Sequence, residues 1–333
     1  MKKAIALILC LMMVLSFVAC GQKTTETTAK TDNTEYKPTG NINLIVPYAA
    51  GGAVDLGSRL MAKYAAKYTD ANIVITNIGG AAGALGCAEV LKYGTDGSYM
   101  IALNPSMGYV STPESPLSFE VTESFQYAAM MVNDPRTLVI RADETRFTNV
   151  EEFIEYCKAN SGVTCGASGS GNDAYYAPYQ FSEQLGLGMN VVAFDGTGDM
   201  KSAFLGGHID IACATKSEAV TMILNGQCKI IVNAAPERPT GDEYLSDVPT
   251  MKEKGADVNF STMRGFAFKA GTDEKILAYW SDVIGKVCAD PEFLAEASSQ
   301  GFPIEYHEYK SAQENFLAKM AAYKATVASK AAN

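Results

Sequence analysis

The sequence has few of the residues on which most catalytic and metal sites depend. It contains only two histidines, His208 and His307, and neither lies near a serine or cysteine in a nucleophile motif such as G-x-S-x-G. It has no C-x-x-C motif, so a zinc site built from cysteine and histidine ligands is poorly supported. The residue types therefore give no argument for an enzyme, and we expect neither a metal ion nor a cofactor.

Positive charge is also scarce. The chain has 27 lysines and arginines against 37 aspartates and glutamates, a formal net charge of −10, which argues against binding to nucleic acid. An acidic chain that binds an anion has to do so through local dipoles rather than through its overall field. Beyond residue 19, no apolar stretch approaches the length of a membrane-spanning helix, so the rest of the chain is expected to be soluble.

The amino terminus predicts an exported lipoprotein. A basic start is followed by an apolar run over 4–19, which is too short for a comfortable transmembrane helix and is typical of a signal peptide. The run ends in Val18-Ala19-Cys20-Gly21, which resembles a lipobox and implies lipidation of Cys20 after cleavage before it. An uncleaved anchor is the alternative. Residues 20–39 are polar, cannot bury enough surface to offset their ordering entropy, and predict a flexible tether.

Cysteine use leaves two alternatives open. Two of the eight cysteines lie in the first twenty residues, and an even number remains in the rest of the chain. In an exported protein such a number permits disulfides, although the spacings select no pairing. Buried, unpaired thiols explain the same cysteines equally well. The cysteines in question are Cys87, Cys157, Cys165, Cys213, Cys228 and Cys288.

Strand and helix patterns alternate from residue 41 onward. A first β-α-β-α-β series runs over 42–103, and a second series begins with a strand over 137–140 and continues to Asn233. A mostly helical tail over 274–332 is broken at Pro291 and Pro303. This order predicts an α/β protein whose parallel strands carry helices on both faces. Ligands of such sheets bind beyond the carboxyl ends of the strands.

Three glycine-rich loops follow predicted strands and open helices. In the first, over 47–55, Gly51 and Gly52 allow backbone N–H groups to approach a ligand, and the following helix start favours an anion. Asp55 is expected to cap that helix. An ordinary tight turn between strand and helix is the alternative. The second loop, over 77–86, has the same character.

The third loop, over 165–174, contains G-x-G-x-x-A after a strand, with an acidic residue after the next strand. This is a dinucleotide-binding pattern on paper. We reject it because nucleotide cofactors are not expected outside the cell and because the preceding strand is short. Three such loops fit an anion-binding cleft better than one cofactor site.

Several motifs in a shared order resemble the tripartite tricarboxylate transporter solute-binding family, also called Bug proteins. The pattern V-P-F-x-x-G-G-x-x-D is matched over 46–55, and N-x-x-G-A-G-G-x-x-G over 77–86. A third pattern, V-P-T-x-x-E-x-G, is matched over 248–255, and 196–210 resembles a further family segment. Each motif alone is weak, but their order extends over residues 40 to about 320.

The resemblance implies an α/β, two-domain, type II periplasmic-binding-protein fold with a ligand cleft between the domains. Domain 1 is expected to comprise 40–138 and 264–333, and domain 2 to comprise 139–263. A monomer of this family binds a small di- or tricarboxylate or a related organic acid. It then passes the acid to a membrane permease of two further subunits, so the resemblance implies an extracytoplasmic, lipid-anchored receptor.

Three segments depart from the family patterns. The family often has P-Y-K-G where this chain has 193–196 with Asp195, W-x-G where it has 263–265 with Arg264, and G-S-x-x-H where it has 171–175. Arg264 could bind a carboxylate and Asp195 an ammonium group, which would suit a zwitterion such as an amino acid. Alternatively, the two residues pair with each other or lie on a solvated rim. A secreted α/β hydrolase is the alternative from another class.

The loops and the resemblance together predict a set of ligand-binding residues close to the carboxyl ends of the strands. They are Tyr48, Ala50, Gly51, Gly52, Asp55, Gly80, Ala81, Asn104, Ser168, Gly169, Gly171, Asn172, Tyr175, Phe194, Asp195, Gly196 and Arg264.

The lipobox generates a first prediction. Radiolabelled fatty acid should enter the wild-type protein in the cell and should not enter a Cys20→Ser variant, because only the cysteine sulfur accepts the diacylglycerol. The measurement is the label in the immunoprecipitated protein at matched expression. Equal labelling of the two proteins would contradict the lipid anchor.

Overall fold

The structure is a computed structural model that describes residues 36–104 and 118–331. The predicted signal peptide, Cys20 and all but the last residues of the predicted tether lie outside the described residues. Among the described helices, none combines the length and the apolar character that crossing a membrane requires.

The elements follow the predicted alternation of strands and helices. In chain order they are β1 (Asn41–Val46), α1 (Ala53–Ala65), β2 (Asn72–Asn77), α2 (Ala84–Val90), β3 (Tyr99–Leu103), α3 (Val121–Ser124), β4 (Phe125–Arg141), α4 (Val150–Ala159), β5 (Thr164–Ser168), α5 (Asp173–Leu185), β6 (Asn190–Phe194), α6 (Thr197–Leu205), β7 (Ile211–Thr215), α7 (Lys216–Leu224), β8 (Cys228–Asn233), β9 (Ser261–Lys269), α8 (Glu274–Ala289), α9 (Pro291–Ser299), β10 (Ile304–Glu308) and α10 (Tyr309–Ala331).

Two groups of parallel strands form the two lobes. In the first lobe β1 pairs in parallel with β2 and β3, and in the second lobe β5 pairs in parallel with β6 and β7. In each lobe the central strand therefore carries a neighbour on both sides, and the strand order changes direction at β1 and at β5. Loops at the carboxyl ends of β1 and β5 accordingly lie where ligands of such sheets bind.

The long strand β4 belongs to both lobes. Up to Pro135 it pairs antiparallel with β9, and β10 pairs with part of this half. Beyond Pro135 it pairs with β7 and β8. Proline lacks an N–H group for a sheet ladder, and Pro135 lies where β4 exchanges its partners. The predicted domain limits at 138 and 264 fall inside β4 and β9, and they stay a prediction.

The structure adds elements that the sequence patterns do not predict. The predicted strand over 137–140 is only the last part of β4, because Asp134-Pro135-Arg136 interrupts the apolar pattern before it. Helix α7 and strand β10 are also additions. In the tail, Pro291 is the first residue of α9, and Asp290 caps the free N–H groups there. Pro303 interrupts the helical tail as predicted, but the segment that follows it is a strand, β10.

One apolar cluster lies within the first lobe, and another extends through both lobes. In the first lobe the apolar face of α8 carries Trp280, which is fully buried together with Phe268 of β9 and Phe293 of α9. In the second lobe Phe181 of α5 and Phe153 of α4 are fully buried. Aromatic side chains of this size contribute much of the apolar area that leaves water on folding. The cores hold the sheets beneath the loops that carry the site.

The six cysteines of the described chain are free thiols, and all six are buried. Of the two alternatives, the structure thus has buried thiols. Burial raises the pKa of Cys87, Cys157 and Cys228 to about 12. Because the thiolate is the reactive form, these cysteines are inert side chains of the cores.

The crossing of β4 and β9 generates a second prediction. A Cβ atom at Gly265 would lie 2.9 Å from Met130 Cα and closer still to Ala129 O. Gly265→Ala should therefore lower the free energy of unfolding by about 3 kcal/mol, since the backbone of β4 has to shift. Denaturation in urea measures this change.

Gly94→Ala is the matched control. Gly94 is exposed, and a Cβ atom there would meet no atom within 4 Å. A midpoint of denaturation that is as high in Gly265→Ala as in Gly94→Ala would show that the two strands are not packed as described.

Candidate functional site

The loop after β1 uses its two glycines differently. Gly51 has a φ of +81°, a left-handed conformation that glycine adopts without strain. Gly52 has an extended backbone with a φ of −78°, and the nearest atom to a Cβ there would be Ala49 O at 3.6 Å. Backbone geometry thus requires glycine at 51 but leaves room for a side chain at 52.

Asp55 ties the loop after β1 to the loop after β2. Its buried carboxylate accepts hydrogen bonds from Gly51 N at 2.8 Å and Asn77 Nδ2 at 3.0 Å. Arg59 Nε adds a third at 3.0 Å. Burial would raise the pKa of Asp55, but these bonds hold it below its usual value. The carboxylate is therefore an internal link that orders both loops. The expectation that Asp55 caps α1 is wrong, because its oxygens accept from Gly51, Asn77 and Arg59 and from no N–H group of the first turn.

The loop after β2 holds its backbone in unusual conformations. Gly80 has a φ of +126° and Gly83 a φ of +98°, and Ala81 is the one non-glycine residue with positive φ in the described chain, at +46°. A Cβ atom at Gly79 would lie 3.3 Å from Ala49 N. The two loops of the first lobe therefore pack backbone against backbone.

Tyr48 and Asn104 join the ends of β1 and β3 within the first lobe. Asn104 Nδ2 donates to Tyr48 Oη at 3.0 Å. Burial raises the pKa of the Tyr48 phenol well above its usual value, and the phenol lies close enough to Asp173 and Arg264 to interact with their charges. Because Tyr48 follows β1 and Asp173 begins α5, this electrostatic interaction acts between the two lobes.

In the loop after β5, the side chain of Asn172 serves the loop itself. Asn172 accepts a hydrogen bond from Tyr175 N at 3.2 Å and donates to Ser168 O at 2.8 Å. Gly169 has a φ of +99°, and Gly169 N donates to Phe194 O at 2.7 Å, which joins this loop to the end of β6. Asn172 is therefore the N-cap of α5.

At the end of β6, Asp195 is exposed. No hydrogen bond or ion pair joins it to the described part of the chain, so the predicted alternative of a pair between Asp195 and Arg264 is not found there. Gly196 follows as the N-cap of α6 and has no side chain to accept from the first turn of the helix.

A central polar cluster lies where β4 and β9 pass between the lobes. Arg264 is 8% exposed, and its Nη1 donates to Asp134 Oδ2 at 2.7 Å. Ser217, at the start of α7, donates its backbone N–H and its hydroxyl to the same carboxylate. The guanidinium group of Arg264, which the sequence suggested as a partner for a ligand carboxylate, is therefore already paired with Asp134 inside the protein.

The second half of the cluster is formed by Arg136 and Asp173. Arg136 Nε donates to Asp173 Oδ2 at 2.8 Å, and Thr262 Oγ1 donates to the same oxygen at 2.5 Å. Burial would raise the pKa of Asp173, but the charge and the hydrogen bond of Arg136 keep it below its usual value. We name Asp134, Arg136, Asp173, Thr262 and Arg264 the central polar cluster.

Sequence reasoning missed most of this cluster. Asp134 and Arg136 flank Pro135 inside an otherwise apolar strand, and that break in the pattern is the signal that could have identified them. Asp173 lies inside the third glycine-rich loop, and nothing in that pattern distinguishes it from its neighbours. The two histidines take no part, because His208 is exposed and His307 binds Glu305 at 2.8 Å. Within the described residues, no group of three or more histidine, cysteine, aspartate or glutamate side chains could hold a metal ion.

Helices α1, α2 and α6 begin without a side-chain cap, and at the starts of α1 and α6 the first N–H groups are also free. In the described chain, the N–H groups of 53–55 at the start of α1 and of 197–199 at the start of α6 have no acceptor. These groups carry the positive end of the helix dipole and bind anions well. Each lobe thus contributes one helix start that can take a negative group.

Comparison with known proteins gives the family. Residues 58–328 match the TctC family, described as the tripartite tricarboxylate transporter family receptor. A protein of Agrobacterium vitis, named UPF0065 protein in the TAR-I ttuE-ttuC' intergenic region, is 26% identical over 265 residues. The match covers 79% of this chain and 76% of that protein.

Solved structures give the fold. A TctC solute binding protein from Polaromonas, solved without ligand, has a TM-score of 0.70 at 26% identity and covers 88% of this chain and 100% of its own. MatC from Rhodopseudomonas palustris with bound malate has a TM-score of 0.73 at 23% identity and covers 87% and 99%. The predicted α/β class and two-domain periplasmic-binding fold are confirmed.

The link between the first two loops generates a third prediction. Asp55→Ala and Asn77→Ala should each lower the free energy of unfolding by about 1–3 kcal/mol, because each leaves buried donors or acceptors without a partner. The double variant should lose less than the sum of the two losses, since one hydrogen bond joins both side chains. A double-mutant cycle by thermal unfolding measures this coupling, and strictly additive losses would contradict the link.

Proposed function

Because the chain belongs to the tripartite tricarboxylate transporter receptor family, we propose that it is a solute-binding lipoprotein outside the cytoplasm that captures a small carboxylate. The ligand is a di- or tricarboxylate or a related organic acid. The protein passes it to the membrane permease subunits of the transporter. Cys20 anchors the chain to the membrane through lipid, residues 20–39 act as the tether, and the receptor works as a monomer.

The observation that carries the proposal is the pair of uncapped helix starts. Helices α4, α5, α7, α8 and α9 each begin with a residue whose own side chain accepts from the first turn. Helices α1 and α6 begin with glycine, one in each lobe, after β1 and β6. Helix α2 also begins with glycine, but the N–H group of Ala84 at its start donates to Ala81 O. Two separated negative groups of one ligand could therefore each meet a set of free N–H groups.

The charges of the site favour the same chemistry. The arginines beside the loops are paired with aspartates: Arg59 with Asp55, Arg136 with Asp173, and Arg264 with Asp134. A ligand carboxylate would accordingly be held by neutral backbone donors, whose hydrogen bonds to a charged group contribute about 1.5–3 kcal/mol each. The malate bound to MatC supports a small dicarboxylate as the ligand class.

Arg264 and Asp195 are poorly placed to bind the two charges of a zwitterion. Arg264 is committed to Asp134, and Asp195 is exposed at the end of β6. A secreted α/β hydrolase is the alternative from another class. A hydrolase would change its ligand chemically, whereas a receptor would not. A receptor should release an unchanged acid on denaturation, and mass spectrometry of that acid would identify it. A chemically altered product after incubation would overturn the receptor.

The uncapped helix starts generate the fourth prediction. Gly52→Asp should put a carboxylate at the N-cap of α1, where it accepts from the N–H groups that we assign to the ligand. The fold should persist, because a Cβ atom at this position makes only an ordinary contact. Affinity for the acid should fall about a hundredfold or more, since two or three charge-assisted hydrogen bonds are lost.

Isothermal titration with succinate, L-malate, tricarballylate and citrate measures the affinity. Asn149→Asp is the control, because it adds the same charge at the N-cap of α4, where the Asn149 side chain already accepts from Glu152 N. That variant should bind as the wild type does. If Gly52→Asp retained the wild-type affinity, the start of α1 would not be part of the site.

A further inference from the structure

Three polar atoms of the central polar cluster are buried without a hydrogen-bond partner. They are Asp173 Oδ1, Arg136 Nη1 and Arg264 Nε. Buried polar atoms are almost always hydrogen-bonded, so each exception needs a physical explanation. Arg136 Nη1 lies 3.8 Å from Glu218 Oε2 and so has a charge partner, whereas Asp173 Oδ1 is the one acceptor among the three atoms.

The two oxygens of Asp173 are used very unequally. Oδ2 accepts from both Arg136 Nε and Thr262 Oγ1, whereas Oδ1 accepts from neither. The side chain is fully buried, and an ionised carboxylate can accept through both oxygens. Arg136 and the nearby Lys319 compensate its charge. What Oδ1 lacks is therefore a hydrogen-bond donor rather than a counter-charge.

Asp173 lies where the two lobes meet. It is the first residue of α5 and follows the glycine-rich loop after β5. The phenol of Tyr48, at the end of β1 in the other lobe, is near enough to feel its charge and that of Arg264. Asp173 therefore lies at the carboxyl end of β5, the side of such a sheet on which ligands bind.

We propose that Asp173 is a specificity-determining residue, whose Oδ1 accepts a hydrogen bond from a hydroxyl or ammonium group on the bound acid. The inference rests on the proposed function and narrows its ligand class to acids that carry a donor beside their carboxylates. Asp195, which the sequence suggested for such a role, lacks the burial that makes an unpaired acceptor selective. An acid without the donor leaves Oδ1 unpaired, and sites of this kind discriminate strongly.

Matched acids test the inference on the wild-type protein without any variant. L-Malate and L-aspartate are succinate with a hydroxyl and an ammonium group, and citrate is tricarballylate with a hydroxyl. In each pair, one acid carries the hydroxyl or ammonium group that would donate to Asp173. Isothermal titration should show that this acid binds at least about tenfold more tightly than its partner without the group. Preference for malate or citrate identifies a hydroxyl, and preference for aspartate identifies an ammonium group.

Asp173→Asn then assigns the preference to this residue. The amide oxygen is expected to face Arg136, which leaves the amide N–H₂ at the position of Oδ1. An ammonium group cannot accept from it, so preference for aspartate should disappear. A hydroxyl can accept as well as donate, so preference for malate or citrate should fall to a few-fold. Affinity for succinate and tricarballylate should change much less.

The control is Asp210→Asn at the opposite end of β5. Asp210 is also held by an arginine and a threonine hydroxyl, since it accepts from Arg146 and from Thr164. This variant should keep the wild-type preference. If Asp173→Asn does not fold, the double variant Asp173→Asn and Arg136→Gln removes the stranded charge and should show the same loss of preference.

The outcomes separate the inference from the proposed function. Binding of none of the acids would overturn the proposed function and the inference with it. Equal binding of the members of each pair would overturn the inference alone and would assign Oδ1 to an ordered water. A preference that survives both in Asp173→Asn and in the double variant would also overturn it.

Discussion

Two buried ion pairs fix the point at which β4 and β9 pass between the lobes. Each pairs an arginine of a crossing strand with an aspartate in the interior, and loss of one partner of such a pair costs about 3–5 kcal/mol. The same aspartates also bind the second lobe, one as the first residue of α5 and the other through Ser217 of α7. The geometry of the cleft therefore depends on how these charges are paired. The pairs are Arg136 with Asp173 and Arg264 with Asp134.

Local patterns were sufficient for the parts of the fold that depend on local chemistry. Apolar periodicity predicted β1 to β3 and β5 to β7, and glycines before helices predicted the loops at their carboxyl ends. The same reasoning found only the end of β4, because Asp134-Pro135-Arg136 interrupts an apolar strand. That interruption has a tertiary cause, since Pro135 lies where β4 exchanges partners and the charges on both sides are neutralised by residues far away in sequence.

The candidate site was predictable to the same degree. Gly51 acts through its own backbone conformation, so its role in the loop could be derived from the sequence. Asp55 was expected to cap α1, but it binds Asn77 of the next loop instead. Burial and pairing between distant residues could not be derived in this way. Arg136 and Asp173, for example, form a hydrogen bond although they are 37 residues apart in the sequence. Sequence reasoning therefore assigned the ligand-reading roles to Asp195 and Arg264. In the structure, one of these is exposed and the other is already paired.

The acidity of the chain and an anionic ligand are compatible because the two effects act over different distances. A net charge of −10 repels an anion at long range, but at physiological ionic strength charges are screened beyond about 8 Å. Backbone N–H groups act at about 3 Å, inside that distance. The proposed capture can thus rely on uncapped helix starts, while the arginines beside the described loops are paired with aspartates. An anion without the right shape gains little from them, because nothing attracts it from a distance and only close contact supplies the binding energy.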